Sequence, residues 1–171
     1  MAIILSCKPD ENSTRLIDNK LKKIESRNKY LEDIYNSDQS LRNKFSSSNF
    51  NAQETHEFWK EAGKTDSINL IKIDSYLQQF GYPDTINYSE QANDAPWYVI
   101  QHCPKLKIRT KYYQLIKESY ESGKISEIQF YLYLQRNYVF KYKEMLGIEN
   151  DDQYTFKEKI NILLDTLKYE L

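Results

Sequence analysis

The sequence predicts a mainly α fold, a single-domain orthogonal bundle of about six helices. Three observations predict it. The chain has 171 residues, the length of one ordinary domain with one core. It holds only four Gly and four Pro against 29% charged residues, too few turn formers for a sandwich or barrel. Its apolar residues recur at steps of three and four, punctuated by capping boxes.

The first periodic stretch runs from about Thr14 to Phe45. Ile17, Leu21, Ile24, Asn28, Leu31, Tyr35, Asp38, Arg42 and Phe45 step along one helical seam, interrupted by Asn28, Asp38 and Arg42. Asp38 and Arg42 are spaced i, i+4 and can pair on the helix itself. Ser46 to Asn49 reads as a loop. Gln53 to Ala62 reads as a short helix ending at Gly63, and His56 within it lacks the second His that a zinc-binding helix requires. Thr65 or Asp66 then caps a helix with the stripe Leu70, Ile73, Leu77 and Phe80, stopped by Gly81-Tyr82-Pro83, with Asp66 facing the positive end of the helix dipole.

Asp84 to Gln91 reads as a loop, and Asn93 or Asp94 caps the next helix with Pro96 in its first turn. On it His102 shares a face with Ala95 and Val99, so a titratable ring points where the apolar residues point. Lys105 to Ser122 reads as one helix with a solvated basic start. Ser126 to Gln129 is a capping box opening a helix with Ile128, Leu132, Gln135 and Val139, and Arg136 beside the stripe. Tyr138 to Ile148 continues that helix to Gly147 or, alternatively, forms a short β hairpin near 138–148. Thr155 to Glu158 is a second capping box, opening a last helix with Ile160, Leu163, Leu164 and Leu167.

The formal net charge is −1, so no overall basic field argues for nucleic acid. There is no phosphate-cradling Gly loop, nucleophile elbow, redox Cys pair or metal-ligand spacing, so neither a cofactor nor a metal is predicted. Residues 1–13 read as a lipoprotein-signal remnant or a flexible tether ahead of a domain at 14–171. Ile3-Ile4-Leu5-Ser6-Cys7 looks like the end of a bacterial lipoprotein signal, with Cys7 the lipidated residue and the true start upstream of Met1. That reading places the protein in the cell envelope, its only membrane contact being the lipid. The alternative is an ordinary cytoplasmic start.

Asp38-Gln39-Ser40-Leu41-Arg42, Asp66 before Gly81-Tyr82-Pro83, Gln101-His102, Gly123 and Leu134-Gln135-Arg136 follow one another in an order and spacing that carry a resemblance. The chain from about Leu31 to Arg136 resembles the bacterial family called domain of unknown function 6624. It departs from that pattern at Gln135, where the family has Asp, and lacks the family's closing Tyr-Gly-Thr-Gln. The resemblance supplies no reaction. It converges with the periodicity, because Asp38, Arg42, His102 and Arg136 are the polar residues on or near faces that should be buried.

Two functional readings follow. In one, an envelope-anchored protein binds a small ligand or a protein partner through this buried Asp/Arg/His cluster. In the other, a hydrolase- or transferase-like enzyme uses His102, oriented by Asp38, as general acid or base. Arg42, Arg136, Gln101, Gln39 and Asp66 are the candidate binding residues in both.

Overall fold

The computed structural model describes residues 21–169, so the expectations for Cys7, the 1–13 tether and the seam before Leu21 lie outside the described residues. Seven helices and no strand occur among them. They are α1 (Ile24–Ser46), α2 (Ala52–Phe80), α3 (Glu90–His102), α4 (Leu106–Lys111), α5 (Tyr113–Glu121), α6 (Glu127–Tyr142) and α7 (Phe156–Leu167). α1 packs most extensively on α3 and also on α2, while α7 packs on α6. α6 also receives α3, α4 and α5, so the fold is a mainly α helical bundle.

The α1 seam turns Leu31, Ile34 and Asp38 inward. Asn28 interrupts it because its side-chain oxygen accepts from the Ser89 backbone N–H at 2.8 Å, capping the start of a helix 61 residues away. Ser89 is the N-cap of α3 and its hydroxyl also donates to Glu32 at 2.7 Å. α3 therefore begins at Glu90, earlier than a cap at Asn93 or Asp94 would allow, and Pro96 lies inside the helix. The ring removes the bond that would reach the Ala92 carbonyl. Burial of Ala92, Ala95, Trp97, Val99 and Ile100 outweighs that loss, since each large apolar side chain contributes about 1.5–3 kcal/mol.

The predicted break at Gly63 is absent. α2 is one 29-residue helix, started by an Asn51–Glu54 capping box and ended by Gly81 at φ 70°. Glycine inside a helix costs about 1 kcal/mol relative to Ala. The cap and the buried residues Phe58, Ala62, Ile73 and Tyr76 on either side exceed that cost, so Gly63 stays helical. Asp66 consequently lies mid-helix, far from any terminal dipole.

Lys105 to Ser122 is broken at Tyr112 into α4 and α5. Lys105, Lys107 and Lys111 are exposed, but Arg109 is fully buried, which contradicts a wholly solvated basic face. The β hairpin near 138–148 does not form. α6 runs to Tyr142 and stops where Lys143 adopts φ 64°, and a turn through Gly147 follows. Both predicted capping boxes, Ser126–Gln129 and Thr155–Glu158, start their helices.

Candidate functional site

Asp38 follows Leu31 and Ile34 on the buried face of α1 and is 0% exposed. A carboxylate there needs donors around it, because an unpaired buried charge is strongly disfavoured. Gln39 donates its side-chain amide to Oδ2 at 2.7 Å. Arg42 places Nη1 3.4 Å from Oδ1 and donates to the Asp38 backbone carbonyl at 3.2 Å. From α3, His102 Nδ1 lies 3.1 Å from Oδ1 and 3.0 Å from Oδ2. A carboxylate only accepts, so the ring presents Nδ1–H to it, and the lone pair of the neutral imidazole is on Nε2. Among the described residues Nε2 has no hydrogen-bond partner.

The continuous α2 completes the site. Arg42 Nη2 donates to both Asp66 oxygens, at 3.0 and 3.2 Å, so its guanidinium clasps α1 to the middle of α2. Arg136 enters from α6 with much of its surface exposed, so of the cluster expected to be buried only Asp38 is fully enclosed, Arg42 and His102 being partly buried. It makes no ion pair among the described residues and lies over the Phe140 ring at 5.6 Å. Partial burial lowers its pKa and the neighbouring Arg42 lowers it further, while Asp66 opposes both.

Arg42, Asp66, His102 and Arg136 share an open groove of about 1020 Å³. Phe45, Trp59, Leu70, Ile71 and Ile108 form its apolar walls, and Lys105 lines it as well. The volume is at the upper end for a small-molecule site, and the mixture of apolar walls with few convergent polar groups is the usual composition of one. Cys103 also borders the groove; it is a buried free thiol whose Sγ faces the Lys105 carbonyl at 3.9 Å. No group of three or more His, Cys, Asp or Glu side chains suited to a metal occurs among the described residues.

Of the residues singled out in the sequence, Asp38, Gln39, Arg42, Asp66 and His102 are linked by direct contacts, and Arg136 joins them across the groove. Gln101 does not face the groove. Its amide N–H donates to the Leu132 carbonyl at 3.2 Å and its oxygen accepts from Arg109 at 3.0 Å, so both ends are held in the interior.

Arg109, missed in the sequence, is the interior counterpart of the site. It donates to the carbonyls of Ile100 and Gln101, both at 2.8 Å, to the Tyr133 carbonyl at 3.0 Å, and to the Asn137 side chain. Burial pushes its pKa down to about 10, still far enough above neutrality for it to carry its charge. Two of those carbonyls belong to the last turn of α3, immediately before His102. The signal for it was present: Arg109, Tyr112, Tyr113 and Ile116 repeat at i, i+3, i+4 and i+7, and all four are buried.

The exposed His56 and the buried Cys103 add nothing to the contacts around Asp38. Comparisons of the chain with family models, with curated proteins and with solved structures find no match.

Proposed function

We propose that the groove binds a small organic anion, with Arg136 as its charge partner and His102 beside it as a hydrogen-bonding group. One observation carries the reading: an Asp38-backed imidazole and a guanidinium without a carboxylate converge on the same open groove, whose other guanidinium is already occupied by Asp66. A charged hydrogen bond to Arg136 is worth about 1.5–3 kcal/mol. Calorimetric titration with benzoate and phenyl phosphate should therefore show saturable binding, weakened about tenfold or more by Arg136→Gln. Equal affinity in the variant, or no binding of either anion, sinks the proposal.

A second reading is favoured by the lone pair on Nε2. Under it, His102 takes a proton from water as hydroxide adds to an ester or phosphoester held at Arg136. The imidazolium then returns the proton to the departing alkoxide. This hydrolase-like reading needs the same anion site and adds a catalytic step to it.

Envelope anchoring and membership of the domain of unknown function 6624 family belong to the proposal as well. Anchoring rests on Ile3 to Cys7 alone. The mass of the N-terminal peptide from the native source tests it: a thioether-linked lipid on Cys7 supports anchoring, and an unmodified thiol ends it.

A further inference from the structure

The groove extends beyond the polar cluster. Trp59, Gly63, Asp66, Ser67, Leu70 and Ile71 of α2 border it, a stripe at helical spacing. At one end Phe45 meets Phe58 and Trp59 with ring centroids 4.9 Å apart in each pair, and Trp59 remains 50% exposed. The polar and aromatic ends are neighbouring levels of the same two helices. Arg42 of α1 contacts Asp66, and Phe45, three residues later, meets Trp59, seven residues earlier on α2. The charged side chains and the imidazole that border the groove are those of Arg42, Asp66, His102, Lys105 and Arg136.

Gly63 lies between the two levels and no structural demand accounts for it. It is inside a helix, its φ is not positive, and a Cβ built there would meet nothing within 4 Å. Neither a turn nor a close helix crossing requires the missing side chain. What its absence provides is a smooth floor on which a ligand can approach the backbone.

We propose that this floor holds an unbranched alkyl chain of about eight carbons, its carboxylate at Arg136 and its tail over Gly63 against Phe45 and Trp59. The ligand class is a medium-chain carboxylate. The length follows from the level of Asp66, whose charge interacts with Arg136 across the groove, to Trp59, about 10 Å at the helical rise of 1.5 Å per residue. An extended alkyl chain advances about 1.25 Å per bond, from C–C bonds near 1.5 Å and angles near 111°. Asp66 is offset at the head by Arg42, whose Nη2 reaches both its oxygens, and by Arg136 and Lys105 on the same groove. The inference rests on the anion site proposed above and adds the nature of the tail.

Calorimetry on the full chain with butyrate, hexanoate, octanoate and dodecanoate tests it. Affinity should tighten up to about fourfold per methylene, equivalent to about 0.8 kcal/mol per buried CH₂, and level off beyond octanoate. Gly63→Ala and Gly63→Leu should raise Tm by a few degrees and weaken octanoate at least tenfold, with benzoate affinity retained in Gly63→Ala. Chain-length independence in the series, or undiminished octanoate binding by Gly63→Leu, overturns the alkyl tail while benzoate binding still upholds the anion site. Failure of benzoate, phenyl phosphate and the whole series removes the anion site and the tail together.

Discussion

Replacing Arg109 by methionine lowers Tm by about 10 °C or more, and lysine at the same position recovers little of the loss. Exchanging a complete buried ion pair for apolar residues is often neutral, because both charges leave together. Arg109 is a different case, since its partners are not charges. The carbonyls of Ile100, Gln101 and Tyr133 and the side-chain oxygens of Gln101 and Asn137 stay in place when the guanidinium goes. Each buried acceptor left without a donor costs about 1–3 kcal/mol. The Ile100 carbonyl keeps its bond from the Cys103 N–H and the Tyr133 carbonyl keeps its place in the α6 ladder, so three acceptors are stranded. Their total, about 4 kcal/mol, is a large part of the roughly 5–15 kcal/mol that holds a domain folded. For a chain of this size about 2–4 °C of Tm accompanies each kcal/mol. Lysine carries three donors on one atom and cannot reach five acceptors arranged around a planar fork. Differential scanning calorimetry checks both variants, and a methionine variant within about 2 °C of the parent refutes the role given to Arg109.

Asp38→Asn is expected to cost about 3 kcal/mol and to release the His102 ring from its single tautomer. Breaking a buried charge pair by neutralising one member costs about 3–5 kcal/mol. The lower end applies because Arg42 keeps its bonds to Asp66. The asparagine also turns one of the two side-chain positions facing His102 Nδ1 and the Gln39 amide into a donor. Nitrogen-15 NMR of the imidazoles above pH 8 separates this positioning effect from simple destabilisation. The parent should show one His with its proton fixed on Nδ1 and the exposed His56 averaging between tautomers as an internal reference. In the variant His102 should average too. A His102 signal that stays fixed, with Tm unchanged, means that Asp38 does not orient the ring. Under the hydrolase-like reading the same variant should lose hydrolytic rate in parallel with the tautomer.

The helical class and most helix starts were legible because they depend on local chemistry. Ser126 and Thr155 cap as their neighbours at Gln129 and Glu158 require, and Leu31, Ile34 and Asp38 face inward at helical spacing. The errors fall where a distant residue decides. α3 starts early because Ser89 is held by Asn28 and Glu32, residues of another helix. Gly63 has the sequence appearance of a stop, yet the packing on both sides of it keeps α2 intact. The polar cluster was legible because Asp38 and His102 interrupt apolar stripes. Which polar residues face the groove was not. Gln101 and His102 are adjacent, but the helix turns one toward Arg109 and the other toward Asp38.

Asp66 is the midpoint of α2, which spans Ala52–Phe80, so the Arg42 clasp grips this helix at its centre. At 1.5 Å per residue each arm is about 21 Å long. One arm carries Trp59 at the groove. The other carries Tyr76, whose hydroxyl donates to that of Tyr88 at 2.8 Å in the loop ahead of α3. α2 is thus tied twice to the rest of the chain, at its centre through the Arg42 fork and on one arm through the Tyr76–Tyr88 bond, so the helix that floors the groove is also fastened to the loop that begins the His102 helix.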